Sequence, residues 1–214
     1  MKLKAFLLIA VLSMFVISCS KDDDNNSEAL SISFTPGTYN TAFYVAGETE
    51  AGTVTSNIGD PEISVSAETD PSITYNNATG RVEWTEELPL GENVVTVVAA
   101  VGSREATTDI IIDNAFQGSF TGGYNFNVGS MNLTSLNYTL QFNSDGTLMV
   151  DDDGNMGEGT WTRDGSAITA SYDFGGATPT TIQANVSYNS MEAFVAGTWY
   201  SGASQGYFRV DINQ

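Results

Sequence analysis

From Leu30 onward the chain runs in short stretches rich in Val, Ile, Thr, Tyr and Phe, with apolar and polar residues alternating, and each stretch is broken by Gly, Asn, Asp or Pro. Alternation of period two places every second side chain on one face of a strand. No long stretch carries the spacing of an amphipathic helix, so the sequence predicts an all-β protein. The roughly 185 residues after this point suffice for one large sandwich or for two domains of ordinary size. We place a division near Asn114, giving a β-sandwich over residues 30–114 and an antiparallel meander, closed as a barrel or flattened, over 115–214.

In the first module the run 93–101 can turn Val95, Val97, Ala99 and Val101 to a core, while Val94 and Val98 imply cover on the opposite face as well. A further strand is expected over 41–45, and Trp84 is expected to plug one end of that core. In the second module Asp145-Gly146, Asp153-Gly154 and Asp164-Gly165 read as hairpin turns, because glycine accepts the positive φ of a tight turn. Alternation turns Tyr138, Leu140 and Phe142 inward on one strand, Ile182, Ala184 and Val186 on another, and Phe208, Val210 and Ile212 on the last.

Cys19 is the only cysteine, so no disulfide can form within the chain, and there is no histidine. The missing imidazole removes the usual general base, metal ligand and triad partner, which argues for a non-catalytic protein without a cofactor. Ahead of Cys19 stand Lys2 and Lys4, then the apolar run 5–17. This run is shorter than the roughly 20 residues a membrane-spanning helix needs, and it has the layout of a secretory signal over residues 1–18. Val16-Ile17-Ser18-Cys19 resembles the lipobox of bacterial lipoproteins, which implies that Cys19 carries covalent lipid and anchors the mature chain to a membrane. Lys21, Asp22, Asp23 and Asp24 then resemble the export signal of surface lipoproteins of Gram-negative bacteria. That likeness implies an outer-membrane location facing the cell exterior, with residues 19–29 as an acidic, flexible tether. Once Lys2 and Lys4 leave with the signal, five of the seven basic residues oppose 26 acidic ones, a net charge of −21. Such a charge excludes nucleic acid as a partner, since that affinity comes from basic residues on phosphates.

Two further resemblances lie downstream. The segment 72–84, with Thr79-Gly80 before a strand that bears Trp84, and the turn Leu88-Pro89-Leu90-Gly91 are similar to immunoglobulin-like and cadherin-like repeats of bacterial surface proteins. That likeness implies a sandwich acting as spacer or partner surface. Gly159-Thr160-Trp161 and Gly197-Thr198-Trp199 form an internal echo, and Gly-x-Trp on a strand marks lipocalin-like barrels, which the second module resembles.

Candidate sites are few. Asp151, Asp152, Asp153, Asn155 and Glu158 crowd one turn, and calcium takes six to eight oxygen ligands from such a cluster. Their spacing departs from the EF-hand loop, and a solvated hairpin tip accounts for them, with Asp151, Asp153 and Asn155 as a weak calcium candidate. Glu86 and Glu87 are adjacent, so on a strand they point to opposite faces and cannot act as a facing pair. Aromatic rings offer a better surface, and Tyr200, Tyr207, Trp161 and Trp199 are the candidate ligand contacts, with Trp199 inward and both tyrosines outward. Two functions follow: an accessory or binding module for a glycan or an outer-membrane protein, or a carrier of a small apolar molecule inside the second module. A cavity of about 300 Å³ or more, lined by Tyr138, Phe142 and Trp161, would favour the carrier.

Overall fold

The computed structural model describes residues 29–176 and 178–213. The signal segment 1–18, the acylation candidate Cys19 and the acidic run of Lys21, Asp22, Asp23 and Asp24 lie outside the described residues. Among the described residues every regular element is a strand, as the alternation predicts.

Nine strands make up the first part: β1 (Leu30–Ser33), β2 (Thr38–Ala42), β3 (Gly47–Glu48), β4 (Thr53–Ser56), β5 (Glu62–Val65), β6 (Ile73–Asn76), β7 (Arg81–Trp84), β8 (Gly91–Val101) and β9 (Arg104–Ala115). One layer is the sheet β2-β9-β8-β5, in which β2 runs parallel to β9 and the other pairs are antiparallel. The facing layer consists of β1-β4 and β3-β7-β6. Thr49 and Gly52 knit its two pieces together, since their backbone amides donate to Val82 and Gly80 on either side of the step from β3 to β4. Between the layers Val95, Val97, Ala99, Ile110 and Ile112 meet Ile32, Phe34, Ile73, Val82, Trp84 and Leu88, all buried. Each such side chain adds about 1.5–3 kcal/mol when fully withdrawn from water.

Two expectations fail here. Val94 is 58% exposed, so of the two valines expected under cover on the outer face of β8 only Val98 is half-buried. The strand expected over 41–45 ends at Ala42, and Phe43 and Tyr44 form a tight turn in which Tyr44 has a φ of +60°. Both side chains are nonetheless buried, because they leave the sandwich and enter the second part of the molecule.

That part is a closed barrel of eight antiparallel strands: β10 (Gly118–Tyr124), β11 (Ser135–Phe142), β12 (Thr147–Asp152), β13 (Asn155–Asp164), β14 (Ala167–Asp173), β15 (Thr180–Tyr188), β16 (Ala193–Ser201) and β17 (Ser204–Ile212). Each strand pairs with the next, and β10 closes the ring on β17, with Phe120 opposite Ile212 and Tyr124 opposite Phe208. Closure removes the unpaired edges that would recruit other chains. The inward rows are those the alternation sets, and Phe120, Leu140, Phe142, Leu148, Ile168, Ile182 and Phe208 are fully buried. Outward positions on β14 and β15 are polar, with Thr169, Ser171, Gln183 and Asn185 exposed. An apolar interior with a polar exterior is the reverse of a lipid-spanning barrel. The closed eight-stranded form fits a lipocalin-like domain.

The two ends of the barrel differ. Strand β10 starts at the end nearest the sandwich, where Phe43, Tyr44, Leu90 and Phe116 join the same apolar cluster as the barrel interior. Phe116 packs edge-on against Phe142 and Trp161, with centroids 5.2 and 5.3 Å away, and Phe43 packs edge-on against Tyr188 at 5.1 Å. The Tyr44 hydroxyl donates to the Asn189 carbonyl at 2.8 Å. Asn114 and Asn93 hold the turn that carries Leu90, both donating to Pro89 O. The sandwich is thereby the floor of the barrel.

Candidate functional site

At the far end no second layer of the described residues packs over the barrel, and a cavity of about 260 Å³ opens between the strand ends. Its lining comes from seven strands, with Ser204 at the start of β17 among them, and from two connections, and period-two alternation explains the inward strand contributions. Tyr124 ends β10, Tyr138 lies near the start of β11, Asp152 ends β12, and Tyr172 is one residue from the end of β14. Thr180 opens β15, while Trp199 and Ser201 lie at the end of β16. The loop between β10 and β11 adds Phe126.

Three rings form the wall. Phe126 meets Trp199 with centroids 5.2 Å apart at 86°, Tyr124 meets Trp199 at 5.8 Å and 82°, and Tyr124 meets Phe126 at 5.7 Å and 72°. Edge-to-face arrangements of this kind suit the ring quadrupoles. The loop is set by Asn125, a buried amide whose Nδ2 donates to the carbonyls of Ser130 and Asn132 while its Oδ1 accepts from the amides of Asn127 and Tyr207. Its backbone carbonyl accepts from Trp199 Nε1 at 3.0 Å, so the indole is fixed by the loop it supports.

The inner part of the cavity is polar and internally bonded. The hydroxyls of Tyr138 and Tyr172 lie 2.8 Å apart, and Asp152 Oδ2 accepts from the Tyr124 hydroxyl at 3.1 Å. Burial pushes the Tyr138 phenol well above its ordinary range, and the neighbouring Tyr172 adds to this. Burial also raises Tyr172, against hydrogen bonds with Tyr138 and Thr180, and it raises Tyr124. All three phenols are therefore neutral at ordinary pH, which leaves Asp152 as the only charged side chain among the ten lining residues.

The four aromatic candidates do not share one site. Trp199 lines the mouth, whereas Trp161 is at the opposite end against Phe116, its Nε1 donating to the Asn143 carbonyl at 3.0 Å. Tyr200 is exposed and Tyr207 half-buried, both on the outer face, where Thr198 Oγ1 donates to the Tyr200 hydroxyl. The cavity named for the carrier reading takes a different form. It contains Tyr138 but neither Phe142 nor Trp161, because Phe142 is fully buried in the interior and Trp161 is in the floor. The weak calcium candidates belong to the turn itself: Asp151 Oδ1 accepts from the Gly154 amide, Asp153 Oδ1 accepts from Asn137, and Asn155 is exposed. Among the described residues no group of three or more His, Cys, Asp or Glu converges to hold a metal ion.

Sequence reasoning missed Tyr124, Phe126 and Phe174 as site residues, and it read Asp152 as part of an acidic turn and not as a residue of the barrel mouth. A signal existed for Asp152, which has the same parity on β12 as the buried Leu148 and Val150.

No family model matches this chain, and no curated protein matches it.

Proposed function

We propose that this chain is a non-catalytic, lipid-anchored lipoprotein of the outer cell surface whose distal barrel binds a small molecule at its uncovered mouth. The observation that carries this reading is the asymmetry of the barrel: one end is packed against the sandwich, with a shallow groove left beside Trp161, and the other holds an aromatic-walled cavity whose inner polar groups are hydrogen-bonded. Convergent polar groups inside a mostly apolar concavity are the usual make-up of a ligand site. At about 260 Å³ the volume lies just under the common range, which suits a small ligand or one end of a larger one such as a glycan. On this reading the sandwich is an immunoglobulin-like spacer, supported by its two facing layers and the parallel pairing of β2 with β9. The lipid on Cys19 and the acidic run after it supply attachment and surface address.

A partner protein is the second reading, and the rim favours it. Phe126, Val128, Met131 and Leu136 are 65%, 44%, 81% and 64% exposed within one stretch beside the mouth.

The test is a binding screen of the purified full chain against soluble glycans and small apolar compounds, read by the indole resonances of the three tryptophans. A ligand that moves Trp199 alone supports the mouth as the site; a screen in which nothing moves Trp199 removes it. Protease shaving of whole cells tests the address. Loss of membrane attachment in Cys19→Ala, and of surface exposure when Asp22, Asp23 and Asp24 become Ala, are the expected results.

A further inference from the structure

The charge pattern of the barrel interior narrows what the mouth accepts. On β12 the inward row is Leu148, Val150 and Asp152, opposite Phe142, Leu140 and Tyr138 on β11. The row thus passes from two aliphatic side chains to a carboxylate where the interior reaches the mouth. Asp151 and Asp153 flank it, and Asp173 ends the strand that carries Tyr172. Among the described residues no ion pair joins a basic side chain to these acids. Arg163 is on the same face of β13 as Trp161, toward the floor, and Nη1 donates to Gly165 O. Arg209 is engaged by Glu192 and Asp211 and lies over the Phe194 ring at 3.8 Å.

An anion entering the mouth meets a carboxylate without a described ion-pair partner, within a chain of net charge −19. A neutral ligand gains hydrogen bonds from its O–H or N–H donors to that carboxylate but not the charge–charge attraction. A metal ion finds one carboxylate and aromatic walls in place of the six to eight oxygens calcium takes. An organic cation gains twice, from Asp152 and from the electron-rich rings that line the same cavity, since walls of Trp, Tyr and Phe beside a carboxylate suit such a cation. At roughly 30 Å³ per water the cavity holds about nine waters, enough for a compact ammonium compound.

The geometry points to the mouth as a receptor for an organic monocation, an ammonium on a compact apolar body, with Asp152 as counter-ion and Trp199, Tyr124 and Phe126 as the walls. This rests on the mouth being a ligand site, and it adds the ligand's charge.

The experiment compares three molecules of matched shape on the full chain in a neutral polyoxyethylene detergent: choline, its uncharged carbon analogue 3,3-dimethylbutan-1-ol, and the anion 3,3-dimethylbutanoate. Affinity is read from the Trp199 indole resonance. Choline is expected to bind about tenfold or more tightly than the alcohol, with the anion weakest. Asp152→Asn should bring choline down to the affinity of the alcohol and leave the alcohol within about twofold. Phe126→Ala removes an exposed wall that the fold does not need, and it should weaken choline binding even if the Asp152 variant folds poorly. Equal binding of choline and the alcohol, or tighter binding of the anion, overturns the assignment of charge and leaves the mouth as a site. Failure of all three at millimolar concentration overturns the cation assignment. If the wider screen also leaves Trp199 unmoved, the mouth itself is lost as a site.

Discussion

The barrel carries the same tripeptide at both ends, with opposite results. Gly159-Thr160-Trp161 lies on β13, which runs toward the sandwich, and Gly197-Thr198-Trp199 on β16, which runs away from it. Each glycine sits where a Cβ would strike the neighbouring strand, at Ser171 O and Tyr172 for Gly159 and at Gln183 O and Ala184 for Gly197. Each tryptophan donates its indole N–H at 3.0 Å to the backbone carbonyl of a loop asparagine, Asn143 below and Asn125 above. The local chemistry is therefore alike, and the difference comes from outside the barrel. Phe116 packs on Trp161 and Phe43 packs on Phe116, so that only an open, shallow groove is left beside Trp161, whereas Trp199 lines a cavity that enters the barrel. A barrel end becomes a core or a site according to what the rest of the chain lays over it.

The largest expected effect lies at the covered end. Phe43 is 1% exposed and touches Phe116, Phe120 and Tyr188, so Phe43→Ala should cost about 3–5 kcal/mol in denaturant unfolding. The same substitution should leave ligand binding at the mouth in place if the two ends are independent. Gly197→Ala comes next, at about 1–3 kcal/mol, because the added methyl must displace the β15 backbone. A cost below 0.5 kcal/mol would show that the strands can part there.

A smaller pair of substitutions compares the ends directly. Trp161→Phe and Trp199→Phe each lose one indole hydrogen bond, worth about 1 kcal/mol, so thermal unfolding should shift similarly in both. Only the second should weaken binding. If Trp161→Phe weakens it equally, the floor and the mouth are one coupled unit.

The mouth also carries a pH signature. Burial holds the Tyr138 and Tyr172 phenols above the ordinary tyrosine value of 10.0, so the folded chain keeps their protons where the unfolded chain would release them. That contribution is complete below about pH 10 and is lost as pH climbs through the folded-state values. Melting temperature should thus fall in strong alkali, and Tyr138→Phe should flatten the fall. At the foot of the scale, Tyr200→Ala on the outer face should change stability by less than about 0.5 kcal/mol.

The meander, three of its inward rows and its Asp-Gly turns were legible, because period two is a local property and Gly146, Gly154 and Gly165 do take the positive φ that tight turns ask of glycine. The plug was not legible. Thr41 to Val45 is rich in strand-forming residues, and only the packing of a second module explains why Phe43 and Tyr44 turn out of the sheet. The mouth was largely hidden for a related reason: its lining is drawn from strand ends far apart in sequence, which ring closure brings together. Asp152 was masked by its neighbours, since a run of three aspartates reads as a solvated tip unless the parity of Leu148 and Val150 is carried one step further.

The most direct test of an open mouth over a sealed floor is a ¹⁵N spectrum of the three indole N–H groups during titration with choline. Movement of Trp199, with Trp84 and Trp161 unmoved, is the expected result. Movement of Trp161, or of all three together, would contradict it.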